Sequence, residues 1–291
     1  MFEIDGKFYL CKMRNSRVLI PMKKSLLLIV LMSVLFAGCS EYQKLLKSND
    51  TTLKYKKAII YYNEEQFVKA STLFEELMPI FRGTSKAETV SYYMAYCAYG
   101  MGDYITGGYY FRNFIKSFPD SSYAEECLYM SAYCYYMESP KPRLDQTSTQ
   151  DAIDALQLYI NRYPNSSRVE EGNKLIDELQ DKLVYKSYLS ARNYYDREHY
   201  PSAIIALQNG IKDYPASSYR EELMFMLLQS RFELASKSIE EKQHERFNLA
   251  KEEYFAFVDE YPESQYKKAS ERMIDEIEAY FGKDKSAKED K

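Results

Sequence analysis

The chain has 291 residues, of which 39 are basic and 43 acidic, and its net charge is -4. So small a net charge offers no long-range field for nucleic acid, and we exclude that class of partner. With 30 Tyr, 10 Gly and 9 Pro, the composition favours long helices and an all-α fold. The two histidines, His199 and His244, have no further ligand at metal-binding spacing. We therefore predict no metal, no cofactor and no catalytic residue.

Residues 22–38 have the layout of a bacterial lipoprotein signal peptide. Lys23 and Lys24 precede an uncharged, apolar run that is too short to span a bilayer, and small residues follow directly before Cys39. We predict cleavage before Cys39 and acylation of that residue, for example with palmitate, which would anchor the protein to a membrane. Because Phe36 stands where a lipobox usually has Leu, the alternative is ordinary cleavage nearby, which would leave Cys39 as a free thiol.

The segments on either side of this signal have simpler interpretations. Residues 1–21 carry several charges and do not extend the apolar run, so we interpret them as a mis-called start, with translation beginning at Met22. Residues 39–50 are predicted to be a tether between the anchor and the folded part.

Pairs of an aromatic residue and a proline recur along the mature chain, each followed two residues later by Ser. They are Phe118-Pro119, Tyr163-Pro164, Tyr214-Pro215 and Tyr261-Pro262, and Phe81-Arg82 takes the same place in an earlier copy. Large apolar or small residues stand seven and eleven positions before each aromatic, and in most copies a large apolar residue stands fourteen positions before it. These offsets place them on one helical stripe. The proline should end that helix, and the serine should cap the next one.

The pattern resembles the tetratricopeptide repeat, a helical hairpin of about 34 residues. Ala58, Ala95 and Ala191 stand in the first helices where that family keeps a small residue. We predict an all-α tetratricopeptide-repeat solenoid of about five helical hairpins, closed by a capping helix from Ser264 to Phe281.

Two irregularities divide the predicted repeats. A Pro-rich segment from Ser139 to Asp145 is expected to be a loop, and the unbroken helical character from Val169 onward predicts a helix lengthened by about four turns. We predict repeats one to three in residues 51–165, repeats four and five with the capping helix in residues 166–281, and a disordered tail in residues 282–291.

The first helices are rich in tyrosine on the side that lines the groove of such a solenoid. Tyr combines broad apolar contact with a polar tip, which suits an extended peptide ligand. The alternative is that these rings only fill space between repeats. Cys97 and Cys134 occupy equivalent positions in adjacent repeats, where buried thiols or a disulfide would both be compatible with an exported protein.

The lipidation signal, the repeats, the loop containing Arg143 and Asp145, and the lengthened helix together resemble the BamD family of outer-membrane lipoproteins. The stretch from Tyr188 to Pro215 is the most similar, and the resemblance covers about residues 39–281. It implies a non-enzymatic, periplasm-facing subunit of the machinery that inserts β-barrel proteins. Such a subunit binds the barrel protein BamA through its C-terminal repeats and unfolded barrel segments through its N-terminal repeats.

Combined with the tyrosine pattern, the resemblance assigns a peptide-binding groove as a hypothesis. Its residues would be Phe67, Phe81, Tyr92, Tyr96, Tyr99, Tyr129, Tyr133 and Tyr136. Two other functions stay open: a periplasmic repeat scaffold in cell-envelope growth or division, and a surface lipoprotein in glycan uptake. The residues after Cys39 include one acid, Glu41, rather than the acidic run of some surface-export signals, so we favour the periplasmic side.

Overall fold

The computed structural model describes residues 41–289. Their regular secondary structure is helical, and they contain no strand. After a short helical segment at residues 41–46, the helices are α1 Thr51–Asn63, α2 Phe67–Phe81, α3 Ser85–Gly100, α4 Tyr104–Ser117, α5 Ala124–Glu138, α6 Thr147–Arg162, α7 Val169–Asp196, α8 Tyr200–Asp213, α9 Arg220–Ser236, α10 Glu240–Glu260 and α11 Lys267–Glu289. This confirms the predicted all-α hairpin architecture. The predicted start, the signal peptide and Cys39 lie outside the described residues.

The chain divides into two compact units, Met1–Ile80 and Phe81–Lys291. In the first unit, Ala58 of α1 and Leu73, Phe74 and Leu77 of α2 are fully buried. The predicted boundary near residue 165 falls inside the second unit, so the division between N-terminal and C-terminal repeats stays a prediction.

In the second unit, the aromatic-proline pairs end the helices as the sequence predicts. Helices α4, α6, α8 and α10 each end one residue before the aromatic, whose backbone N–H still donates to the carbonyl four residues earlier. At Phe118 this bond to Phe114 is 2.8 Å, and ψ has already moved to 63°. The following proline has no N–H to continue the ladder, so the helix stops there.

The serine of each pair has a slightly different role from the predicted helix cap. Ser121 Oγ accepts the backbone N–H of Tyr123 at 3.0 Å, one residue before α5 begins, and Ser166, Ser217 and Ser264 accept in the same way. In α5, α7 and α9, the residue that directly precedes the helix makes no capping hydrogen bond with its side chain. The serine therefore shapes the turn before the helix, because its hydroxyl reaches the nearest free N–H two residues on.

The predicted stripe is the packing face of the second helices. Ala152, Leu156, Ala203 and Leu207 have no exposed surface. In α4 the small residue is Gly107, and a Cβ there would lie 3.3 Å from the backbone nitrogen of Tyr99 on α3. The small residue therefore lets α3 and α4 approach closely, as the repeat pattern requires.

The two irregularities are also where they were predicted. Residues 139–146 connect α5 to α6, and α7 has 28 residues, against 15 in α5. The lengthened helix holds the loop, since Lys182 Nζ donates to Ser139 Oγ at 2.7 Å and Lys186 Nζ donates to the carbonyls of Arg143 and Leu144 at 3.0 and 2.9 Å.

The end of the chain differs from the prediction. Met273, Ile274 and Ile277 of α11 are buried as expected for a capping helix, but α11 continues to Glu289 instead of giving way to a disordered tail at residue 282. Residues 283–289 contain three Lys, one Ala and one Glu, which are good helix formers, and no Gly or Pro. A helix that has already nucleated extends through such residues at little cost.

Candidate functional site

Tyrosine rings from α3, α5 and the turn before α5 form a continuous cluster in the second unit, which we call the tyrosine array. Along α3 the ring centroids of Tyr92 and Tyr96 are 4.7 Å apart, and those of Tyr96 and Tyr99 are 6.4 Å apart. The ring centroids of Tyr99 and of Tyr133, which lies on α5, are 6.3 Å apart. The residues are three or four positions apart in each helix, so they share one face, and the two faces meet across adjacent repeats.

On α5 the array continues as a stack. Tyr133 is stacked between Tyr129 and Tyr136, with centroids 6.0 and 5.6 Å apart and interplanar angles of 23° and 27°. At the other end Tyr123 lies 4.5 Å from Tyr92. Six of the eight predicted groove residues are thus brought together by two helices.

One carboxylate organises the α3 side of the array. Glu126 accepts the hydroxyl of Tyr96 at 2.6 Å and that of Tyr92 at 3.2 Å, and its Oε1 lies 3.8 Å from the guanidinium of Arg168. Burial, together with the hydrogen bond to Glu126, holds the pKa of Tyr96 far above its ordinary value. The Arg168 guanidinium in turn lies 4.7 Å from the ring of Tyr129. This arrangement fixes the rings rather than leaving them mobile.

The same kind of bond recurs in other repeats at one sequence separation. Tyr92 and Glu126, Tyr159 and Glu125, Tyr188 and Glu222, and Tyr195 and Gln229 are all 34 residues apart and hydrogen-bonded. Three of these bonds join a hydroxyl in one repeat to a carboxylate or amide in the next repeat. The bond between Tyr159 and Glu125 instead joins the two helices of one hairpin, α6 and α5. Part of the tyrosine content therefore serves to join helices through the hydroxyl, which a purely apolar side chain could not do.

These contacts separate the predicted groove residues into two groups. Tyr92, Tyr96 and Tyr136 have hydroxyls committed to carboxylates, the last one to Glu178 at 2.7 Å, and Tyr129 is buried with 5% exposed surface. By contrast, the hydroxyls of Tyr99 and Tyr133 have no partner in the described part of the chain, and both rings are half-buried. Among these six tyrosines, Tyr99 and Tyr133 are the two that combine a half-buried ring with a hydroxyl that has no partner in the described part of the chain.

The two phenylalanines of the predicted groove lie elsewhere in the fold. Phe67 is half-buried in the first unit, where its ring centroid is 5.8 Å from that of Tyr62. Phe81 begins the second unit, is 9% exposed, and has the ammonium of Lys86 5.1 Å from its ring. Their membership of one groove with the tyrosine array stays a prediction.

The cysteines in the described part of the chain are buried and form no disulfide. Cys97, Cys127 and Cys134 are buried free thiols, and burial raises the pKa of each to about 12. No group of three His, Cys, Asp or Glu side chains suited to a metal ion occurs among residues 41–289. In the same part of the chain, no helix is long and apolar enough to cross a membrane.

Sequence reasoning missed Glu126, Arg168, Glu178 and Glu222, the polar residues that hold the tyrosines. The signal was present as an acid or amide that stands 34 residues after a tyrosine. That separation is close to the length of one repeat, so donor and acceptor lie on equivalent helices of neighbouring repeats.

Comparison with known proteins gives one family and a set of distant structures. The model of a family described as YfiO, outer membrane lipoprotein, matches residues 47–246 and, overlapping them, residues 187–285. Among curated proteins, none matches the chain.

Two similar solved structures are repeat proteins. One is a TPR repeats protein from Bacteroides fragilis NCTC 9343, with 14% identity, a TM-score of 0.39, and coverage of 80% of this chain and 100% of that one. Another is the TPR2AB domain of yeast Sti1 in its pHSP90 complex, with 14% identity, a TM-score of 0.36, and coverage of 78% of this chain and 96% of that one.

Proposed function

Because the chain belongs to the YfiO family of outer membrane lipoproteins, which is the BamD family, we propose that it is a non-enzymatic scaffold of the outer-membrane β-barrel assembly machinery. In this role it binds a BamA-like barrel protein and unfolded segments of other barrel proteins. The family match over most of the chain is the observation that carries the proposal. Attachment through acylated Cys39 and a periplasmic position are parts of it.

The tyrosine array supports a role in holding an extended peptide. Glu126 and Arg168 fix the surrounding rings, so little side-chain entropy would be lost when a ligand binds. Tyr99 and Tyr133 supply half-buried faces with hydroxyls that have no partner in the described part of the chain. An aromatic-rich barrel segment could then pack on these faces while its backbone accepts or donates hydrogen bonds at the hydroxyls.

The mechanism is capture without a chemical step. One region of the solenoid holds the unfolded segment, while the C-terminal repeats hold the BamA-like protein. The lipid anchor keeps both at the membrane, which raises their effective concentration for each other. The runner-up is a periplasmic scaffold for cell-envelope growth or division, which shares the anchor and the fold but has different partners.

Depletion of the protein in its own cells tests the proposed role. Loss of an assembly subunit should lower the amount of folded barrel proteins in the outer membrane before cell shape or division changes. Normal barrel-protein levels together with an early division defect would refute the assembly role and favour the runner-up.

Peptide binding tests the site separately. Tyr99→Ala and Tyr133→Ala should each weaken binding of a barrel C-terminal peptide by roughly tenfold, as expected for loss of one aromatic contact. Tyr109→Ala is the matched control, because Tyr109 lies on α4 and is 53% exposed outside the array. Equal affinities for all three variants would assign the array to packing alone.

A further inference from the structure

A second cleft, separate from the tyrosine array, lies beside the lengthened helix α7. It has a volume of about 760 Å³, and its lining includes Arg143 from the loop before α6, Tyr185, Tyr188 and Arg192 from α7, and Tyr219 from the turn before α9. The α7 residues that line the cleft belong to the C-terminal half of that helix, and Arg143 belongs to the loop that Lys182 and Lys186 hold against it. Both irregularities of the sequence therefore border the cleft.

The floor of the cleft is a rigid stack of three tyrosines. The centroids of Tyr188 and Tyr219 are 4.3 Å apart with rings inclined at 21°, and Tyr185 lies 6.1 Å from Tyr188 at 17°. Tyr188 is buried, and its hydroxyl donates to the Glu222 carboxylate at 3.1 Å. Tyr185 is 36% exposed, so the stack presents one flat ring to solvent.

Basic side chains line the same cleft, and they differ in how far a neighbouring carboxylate neutralises their charge. Arg192 is compensated, since it lies 3.4 Å from Glu222 and 3.6 Å from Asp196. Arg143 is not compensated: its side chain is exposed, and within the described residues its guanidinium has no ion pair or hydrogen bond. An uncompensated guanidinium is a strong and directional site for a carboxylate.

Lys186 keeps Arg143 at the edge of the cleft. Its ammonium donates to the backbone carbonyls of Arg143 and Leu144, so the loop is tied to α7 at this point. Asp145 of the same loop places a negative charge near Lys186, and its carboxylate accepts the backbone N–H of Thr147 at 2.9 Å. The backbone at Arg143 is therefore held against α7 by hydrogen bonds rather than left in a free loop.

We propose that this cleft binds an extended acidic peptide segment of a partner protein. A carboxylate of the segment pairs with Arg143, and a neighbouring aromatic or proline ring packs on Tyr185. Charge complementarity and the flat aromatic floor both favour such a ligand. A lipid is less suited, because Leu189 is the one aliphatic side chain among the lining residues and acyl chains would find little apolar surface.

Fluorescence anisotropy with the full chain in detergent tests this assignment. The probe is a fluorescein-labelled peptide that repeats Glu-Phe-Asp-Gly, and the comparison peptide repeats Lys-Phe-Lys-Gly. We expect the acidic peptide to bind more tightly, and we expect binding to weaken as salt rises from about 0.05 M to about 0.3 M. Equal binding of the two peptides would overturn the proposal.

Substitutions locate the binding. Arg143→Glu and Tyr185→Ala should each raise the Kd for the acidic peptide about tenfold or more. Arg197→Glu reverses an exposed arginine at the end of the same helix but outside the cleft, and it should change the Kd by less than about twofold. An unchanged Kd for Arg143→Glu would contradict the proposal, and unchanged helicity shows that the variant is folded.

Two further measurements separate this site from other ligands. Tyr133→Ala should leave acidic-peptide binding unchanged, because the array and the cleft are different sites, and an equal loss there would overturn the assignment. Vesicles of phosphatidylglycerol provide the lipid arm. Arg143-dependent vesicle binding without acidic-peptide binding would show a lipid headgroup site and refute the proposal.

Discussion

Replacing Tyr96 by Phe removes one hydroxyl from the array and leaves the ring in place. That hydroxyl donates to Glu126 at 2.6 Å, while Tyr92 donates to the other carboxylate oxygen at 3.2 Å. A hydrogen bond to a charged group contributes about 1.5–3 kcal/mol to stability. The Glu126 side chain is 35% exposed, so water replaces part of the lost bond. We therefore expect Tyr96→Phe to lower the free energy of unfolding by about 1 kcal/mol.

Urea unfolding followed by helical circular dichroism measures this loss. The matched control is Tyr133→Phe, which removes a hydroxyl that has no partner in the described part of the chain and should change stability by less than about 0.5 kcal/mol. In a Glu126→Gln background, Tyr96→Phe should cost less than it does alone, because the acceptor has lost its charge. Equal unfolding midpoints for Tyr96→Phe and Tyr133→Phe would refute the account of the array as a hydrogen-bonded join between repeats.

Three other predictions follow from the anchor, the thiols and the tyrosine pKa values. Cys39→Ala should release the mature protein from the membrane fraction, and continued tight association would contradict the lipid anchor. Cys97, Cys127 and Cys134 should resist Ellman's reagent at about pH 8 until denaturant is added, because burial raises the pKa of each to about 12. The hydrogen bond to Glu178 raises the pKa of Tyr136 to about 12. This folded-state pKa is above the unfolded value, so the stabilisation is full below about pH 10 and is lost as pH rises towards 12. Tyr136→Phe should remove a late step from the tyrosinate absorbance titration, and an unchanged titration would contradict the assignment.

The repeat architecture could be predicted because its signals are local. An aromatic residue, a proline and a serine within four positions end one helix and begin the next turn, whatever the rest of the chain does. The loop at residues 139–146 and the lengthened α7 could be predicted for the same reason, from Pro content and from unbroken helical character.

The roles of the individual tyrosines could not be predicted in that way. Whether Tyr96 contacts a ligand or packs between repeats depends on Glu126, which is 30 residues away and belongs to another helix. The sequence pattern placed both on first helices but gave no distance between their side chains. The extension of α11 to Glu289 could not be predicted from charge content, because Lys and Glu are common both in disordered tails and in exposed helices.

The cleft at Arg143 shows a similar limit. The loop was predicted, but its position depends on two long hydrogen-bonding side chains, Lys182 and Lys186, that reach it from α7 across more than forty residues. Such contacts depend on the packing of α6 against α7, which periodicity alone does not specify. In both candidate sites, the polar contacts between residues far apart in the sequence are therefore what the sequence does not predict.

Affinity purification of the tagged, membrane-extracted protein tests whether it belongs to a β-barrel assembly complex. We expect that a BamA-like barrel protein is recovered with it, and that a photo-crosslinking residue at position Tyr133 also captures unfolded barrel proteins. Position Tyr109 serves as the crosslinking control, because it is exposed and lies outside the array. Recovery of cell-division or peptidoglycan proteins without any barrel protein would contradict the account.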